Sequence, residues 1–284
     1  MRRTMDTAQI EYLEETARKI RGLTLRAIGS VGSGHVGGCM SIVELVTVLY
    51  FAAMNIDPSR PGMPGRDRLV LSKGHAGPTV YSALALKGYF PLSELETLNK
   101  PMTRLPSHCD MNKTPGIDMT AGSLGQGLSC AVGMALAARM NGGAEYIYAI
   151  IGDGESQEGQ IWEAGMAAAH YRLDNLIVFM DYNKLQIDGT VDEVMTLMDP
   201  VEKWKAFGFH VLEVDGHDLS SIVRTIQLAR NRKGKPVMII LHTIKGRGIS
   251  FAEKAGVDSH SMKVSPEQVE TAMKELGWDT LWNQ

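Results

Sequence analysis

Two short apolar runs, Tyr146 to Ile151 and Leu176 to Asp181, enclose a helix-compatible segment from Gln157 to Tyr171. This arrangement limits the fold more than any other feature of the chain. Strand, crossover helix and strand read as one parallel βαβ unit, whose handedness is almost fixed. Two neighbouring parallel strands end at the same edge of the sheet, roughly 5 Å apart. Asp153 follows the first run and Asn183 the second, so a carboxylate and an amide oxygen are expected at one place. Ligands of open α/β sheets bind at that carboxyl edge. Hard oxygen donors there suit Mg²⁺ or Ca²⁺ with positions left for phosphate oxygens. Gly152 and Gly154, on either side of Asp153, leave the backbone open to a bulky anion. The competing reading is an ordinary strand-end acid and a turn amide.

The remaining elements extend the same alternation. Residues 8–29 carry apolar side chains at helical spacing, and the glycine-rich loop SVGSGHVGG follows. Gly32, Gly34 and Gly37 formally fit GxGxxG, but a dinucleotide fingerprint needs a strand before it and this one follows a helix. Ser41 is placed to cap a helix through about Ala53, with Glu44 at the capping-box position. Arg68 to Ser72 reads as a strand, followed by Lys73-Gly74-His75-Ala76-Gly77 and a helix to about Lys87. A short helix is expected from Pro91 to Asn99. The three prolines of residues 100–121 break any period there. Gly122-Ser123-Leu124-Gly125-Gln126-Gly127 opens a helix to Met140, and amides at a helix start favour an anion or a polar ring. Strands are expected at Val211 to Asp215 and Pro236 to Leu241, and helices at Val201 to Phe207, Leu219 to Arg230 and Ser265 to Leu276. The polar loop Thr243 to Gly248, with Lys245, follows the last strand.

A length of 284 residues with 44% apolar and 21% charged residues describes an ordinary globular α/β unit, read as a single domain over 1–284. Net charge of −3 offers no electrostatic case for nucleic acid or an anionic membrane. Cys39, Cys109 and Cys130 lack metal-type spacing and read as reduced thiols. With no apolar run of membrane-spanning length and no apolar signal core in MRRTMDTAQIEYLEE, a cytoplasmic protein is expected. His35, His75 and His260 lie in loops beside Gly or Ser, and His108 lies in the irregular segment. His170, His210 and His242 fall inside periodic elements, where a packed structural role is expected.

The string GDGESQEGQIWEA, followed by LDNLIVFMDYNKLQIDG, resembles the thiamine diphosphate signature and transketolase in particular. SGHVGG, SKGHAG, PSHCD, AGSLGQG and VDSHS occur in the order in which that family presents its loops, so the resemblance covers essentially the whole chain. It implies an α/β thiamine diphosphate-binding fold with a central, mostly parallel sheet and helices on both faces. It also implies transfer of a two-carbon ketol unit from a ketose to an aldose, with Mg²⁺ or Ca²⁺ holding the cofactor diphosphate. Asp153, the Asn183 side chain and the Leu185 carbonyl would bind that metal. His35, His108 and His260 would bond sugar hydroxyls, with His75 and His260 also approaching the cofactor. Gly122, Ser123 and Leu124 would support the aminopyrimidine, and Gly154 would touch the diphosphate. Lys73 and Lys245 match basic residues near the cofactor, or are surface charges. Glu158 would join the carboxylate relay between paired sites, or is a first-turn acid complementing a helix dipole.

Single-chain members of the family carry a pyrimidine-binding domain and a C-terminal domain, neither of which is expected within these 284 residues. The resemblance therefore implies half of a split transketolase, paired with a separate subunit in an α2β2 heterotetramer. Pentose phosphates, branched sugar phosphates and sulfonated sugars all stand as substrates. Two other readings remain open. One is a split enzyme related to 1-deoxyxylulose phosphate synthase or a 2-oxo acid dehydrogenase component, and the other is a non-catalytic cofactor-binding partner.

Overall fold

A computed structural model describes residues 5–281. Residues 1–4, the start of the segment read above as lacking a signal core, lie outside the described residues, as do residues 282–284. The order of elements begins with α1 (Thr7–Val31), β1 (Ser33–Gly34), α2 (Val36–Met40) and α3 (Val43–Val48), which ends in a π-turn at Leu49–Ala53. Then come β2 (Arg68–Leu71), α4 (Gly77–Lys87), α5 (Gln126–Met140), β3 (Ile147–Gly152), α6 (Gly159–His170) and β4 (Leu176–Tyr182). The last part holds α7 (Val191–Met195), α8 (Pro200–Ala206), β5 (His210–Asp215), α9 (Leu219–Arg230), β6 (Val237–His242), α10 (Ser250–Ala255), β7 (Met262–Lys263), α11 (Pro266–Glu275) and α12 (Trp278–Leu281).

Five strands form one parallel sheet in the order β2-β3-β4-β6-β5. Its central strands are apolar at nearly every position because both faces are covered, as parallel sheets require. Tyr148, Ile150, Ile177 and Phe179 pack into the core under α1, α3, α4 and α9. The alternate residues Ile147, Ala149, Ile151, Val178 and Met180 pack into a second core under α5, α6 and α8. Ala131, Ala135, Ala164 and Ala168 are the buried residues that let α5 and α6 lie close to the sheet.

The expected βαβ unit is present, with Gly152 paired to Asp181 at the strand tips. The GxGxxG segment follows a helix, and Gly32 is the left-handed C-cap of α1 (φ 83°). What the sequence did not indicate is that Ser33–Gly34 pairs antiparallel with Met262–Lys263. This two-residue ribbon joins opposite ends of the chain and seats His35 beside His260.

One expectation fails at Ser41. The helix breaks there, α2 ending at Met40 and α3 starting at Val43, so Ser41 and Glu44 form no capping box. Their polar groups are drawn to buried partners instead: the Ser41 hydroxyl donates to Asp181 Oδ2 at 2.6 Å, and Glu44 pairs with Arg21 and His217. His170 and His242 are exposed rather than packed. His242 Nε2 lies 2.9 Å from Glu213 Oε2 on the neighbouring strand. Among the described residues no helix is long and apolar enough to cross a membrane.

Candidate functional site

A cavity of about 360 Å³ opens at the carboxyl edge of β2, β3, β4 and β6. Its floor is built from strand tips. Asp153 N–H donates to Asp181 O at 3.2 Å, continuing the β3–β4 ladder by one residue. Beyond that point Asp153 Oδ1 accepts from Gly154 N (2.8 Å) and Oδ2 from Lys184 N (2.5 Å). The carboxylate is thus tied to the residue next to Asn183, whose Oδ1 accepts from Leu185 N at 3.1 Å. Asp153, Asn183 and Leu185 therefore line one side of the same cavity. Burial, and then the charge of Asp181, push the Asp153 carboxyl up to about 7.

No group of three His, Cys, Asp or Glu side chains among the described residues could hold a metal ion. The donor set is instead one carboxylate, one amide oxygen and one main-chain carbonyl, which suits a hard cation completed by phosphate oxygens. A buried carboxylate raised by desolvation is also a group that a cation would stabilise in its charged form. The residues fit the group.

Lys73 and Lys245 are 2% and 3% exposed, so the surface-charge reading of both is wrong. Lys73 Nζ donates to Asp181 Oδ2 at 2.5 Å and to Gly38 O at 2.9 Å. Lys245 Nζ donates to Leu185 O at 3.1 Å and lies 3.4 Å from His260 Nδ1. Burial, with Lys73 nearby, brings the Lys245 ammonium down to about 8. Two cations and a carboxylate thus line the end of the cavity expected to receive a polyanion.

The opposite wall is a cage of imidazoles. Ring centroids of His35 lie 5.3 Å from His75, 5.9 Å from His108 and 5.5 Å from His260, and His75 lies 5.1 Å from His260. The four rings come from the α1–α2 loop, the turn after β2, the irregular segment and the turn before β7. His108 is held because its segment is pinned at both ends: Tyr81 Oη donates to Pro106 O (2.9 Å), and Ala121 N to Cys109 O (3.0 Å). Burial lowers all four imidazoles; neighbouring His108 and Lys245 depress His35 further, and Lys73 depresses His75. His260 is brought down to about 4 by burial and then by Lys245. All four are neutral near pH 7, each able to donate on one nitrogen and accept on the other.

A pH dependence follows. The unfolded chain takes up protons on these imidazoles below about pH 6.5, whereas the folded chain does so only at lower pH. Stability is therefore full above 6.5 and is lost as pH falls toward 4. Three buried carboxyls, Asp153, Glu155 and Asp67, are raised by burial and act in the opposite sense. Comparison with a His35→Asn/His260→Asn variant isolates the imidazole contribution: between pH 6.5 and 5 the wild-type chain should lose more thermal stability than the variant.

Gly122 and Leu124 line the cavity, and Ser123 between them is exposed at its rim. Glu158 is not a first-turn acid. It is the exposed N-cap of α6, makes no side-chain cap bond, and sits at the cavity mouth beside Gly125.

Three groups escaped the sequence reading. Asp181 is fully buried and accepts from Lys73, Ser41, Thr243 Oγ1 (2.5 Å) and Asn183 Nδ2 (3.1 Å). Burial opposes its ionisation, but Lys73 and these donors outweigh burial and hold its carboxyl below the usual range. Glu155 accepts from Ser72 Oγ (2.5 Å), Gly125 N (2.9 Å) and Gly152 N (3.0 Å), fastening β2, β3 and the start of α5 together. Glu44 clamps the Lys245 loop through Arg21 Nε to Arg247 O (2.9 Å) and through His217, whose Nε2 accepts from Ile244 N (2.8 Å). An acid ending an apolar strand was the available signal for Asp181. Glu155 and Glu44 had none.

Residues 13–282 match the family model described as transketolase, thiamine diphosphate binding domain. The 6-deoxy-6-sulfo-D-fructose transketolase subunit SqwG of a Clostridium species is 57% identical over 272 residues, covering 96% of this chain and 98% of the relative. An apulose-4-phosphate transketolase subunit of Phocaeicola vulgatus is 39% identical, covering 94% of this chain and 95% of the relative. Among solved structures, a transketolase from Leishmania mexicana superposes with a TM-score of 0.86 at 33% identity, covering 93% of this chain and 41% of that one.

Proposed function

This chain belongs to the transketolase family, and from that membership we propose that it is the diphosphate-side subunit of a two-part transketolase acting on a sulfonated ketose. Ketol transfer dependent on thiamine diphosphate is the family's activity, and the nearly full-length relatives carry the word subunit in their names. The observation that carries the reaction is the pairing of an oxygen-donor floor with a wall of four neutral imidazoles in one cavity. The sulfonated donor is favoured by identity: 57% to the sulfofructose relative, compared with 39% to the apulose phosphate relative at similar coverage.

Thiamine diphosphate, when bound, supplies the nucleophilic carbon and the electron sink that cleavage of a ketose C2–C3 bond needs. Asp153, Asn183 and the Leu185 carbonyl would hold the divalent cation, with Gly154 beside the diphosphate. Gly122, Ser123 and Leu124 support the aminopyrimidine. Lys73 and Lys245 offset the anion's charge. His35, His108 and His260 bond the sugar hydroxyls, and as neutral rings they accept the proton of the hydroxyl that becomes a carbonyl and return one to the acceptor. His75 lines the same cavity and would approach the cofactor.

We read residues 1–284 as one cofactor-binding domain that meets the pyrimidine-binding domain of a complementary subunit. Two copies of each in a symmetric α2β2 assembly would place Glu158, exposed at the cavity mouth, where it can link paired sites. Three free cysteines, two of them buried, suit a cytoplasmic enzyme.

The test is co-purification with the complementary subunit, followed by assay on a ketose panel. We expect kcat/KM for 6-deoxy-6-sulfo-D-fructose to exceed that for fructose 6-phosphate or apulose 4-phosphate at least tenfold, about 1.4 kcal/mol. Equal or better use of the phosphates would overturn the sulfonate assignment. Decarboxylation of pyruvate in place of ketol transfer would overturn the reaction.

A further inference from the structure

The turn that carries the Leu185 carbonyl holds one more polar side chain at the cavity wall, and the reaction described above does not use it. Gln186 lines the cavity immediately after Leu185. Its backbone is fixed: Lys184 is left-handed (φ 66°), Leu185 bridges Thr190, Gln186 N donates to Gly189 O at 2.9 Å, and Val191 N donates to Lys184 O at 2.9 Å. Thr190 then caps α7 in a reciprocal box with Glu193, which anchors the far end of the turn.

The Gln186 side chain packs against Gly154. A Cβ at Gly154 would lie 2.9 Å from Gln186 Oε1 and 3.1 Å from its Cβ, so the amide rests on the glycine of the GDG motif. Gln186 Nε2 is closed off from solvent and has no hydrogen-bond partner. Both Asp153 oxygens and Asn183 Oδ1, which line the same cavity, accept main-chain N–H groups and no bond from Gln186. A buried N–H without an acceptor carries its full desolvation penalty. An amide held in that state against the wall of a ligand cavity points to an acceptor that arrives with the ligand.

We infer that Gln186 is a further cofactor-binding residue, its Nε2 donating to an oxygen of the cofactor diphosphate. This rests on the reading of the cavity as a thiamine diphosphate site. Of the cofactor's parts, the diphosphate is the one rich in acceptor oxygens, and the amide lies against Gly154, the glycine assigned to it.

The experiment is calorimetric titration of the full chain, reconstituted with its complementary subunit. The probes are thiamine diphosphate, inorganic diphosphate and thiamine, each with Mg²⁺. Gln186→Leu should weaken thiamine diphosphate and inorganic diphosphate about tenfold, the scale of one hydrogen bond to a charged group, and leave thiamine unchanged. Gln186→Glu, equal in shape but anionic, should weaken both diphosphates at least tenfold more. It keeps the test available if the leucine variant does not fold. Wild-type affinity in both variants, or equal losses for thiamine and thiamine diphosphate, would overturn the assignment. Failure of the wild-type complex to bind thiamine diphosphate would remove the underlying site reading, a result distinct from any change between variants.

Discussion

Asp153→Ala in the reconstituted enzyme is expected to abolish measurable ketol transfer and to weaken Mg²⁺-dependent binding of thiamine diphosphate by more than about 100-fold. Removing even an outer partner of a metal ligand commonly costs 10- to 100-fold, and Asp153 supplies the only carboxylate of the proposed cation set. The same substitution should not destabilise the ligand-free chain. Asp153 is 3% exposed, its carboxyl is pushed up to about 7, and its nearest charge of like sign is Asp181. Removing it relieves desolvation and repulsion, at the loss of bonds from Gly154 N and Lys184 N. The ligand-free variant should therefore melt at or above the wild-type temperature while cofactor affinity collapses. Calorimetry and thermal melting on one preparation give both values. Retained cofactor affinity would show that the strand-tip oxygens do not hold the cation.

Lys73→Met is expected to cause the largest stability loss of any single substitution in the site, about 3–5 kcal/mol, the range measured when one partner of a buried ion pair is removed. Lys73 and Asp181 have side-chain exposures of 2% and 0%, so water cannot replace the missing charge. Ser41, Thr243 and Asn183 would still donate to Asp181, but an ionised carboxylate would lack its compensating cation. Asp181→Asn in the same background should recover most of the loss, because the amide carries no charge: its oxygen can accept from Ser41 Oγ while its nitrogen donates to Thr243 Oγ1. Urea denaturation of the two single variants and the double variant closes the cycle. Additive losses, with no recovery in the double variant, would show that the ammonium acts through packing alone.

These two residues show how unevenly the site could be read. Asp153 was legible because GDG follows a buried strand, and Asn183 because it ends the next one. Parallel pairing leaves such residues little choice but to meet. The loop histidines were legible through their glycine- and serine-rich settings, though their grouping rested on family resemblance. Lys73 and Lys245 were ambiguous, since a lysine beside glycine reads equally well as a surface charge. Their burial depends on Asp181 and Leu185, residues 108 and 60 positions away. Ser41 was misread for a related reason. A serine three residues before a glutamate satisfies a local capping rule, but buried Asp181, Arg21 and His217 compete for the same polar groups and prevail.

The sequence by itself determined the parallel sheet, its two-faced core and the edge at which polar residues gather, because strand burial and crossover handedness are set by local pattern and chain chirality. Tertiary structure alone decided which charges are buried in pairs, how the Ser33–Gly34 and Met262–Lys263 ribbon brings His35 to His260, and which amide is left without an acceptor. Desolvation and long-range hydrogen bonding depend on neighbours distant in the chain, and no window of sequence contains them.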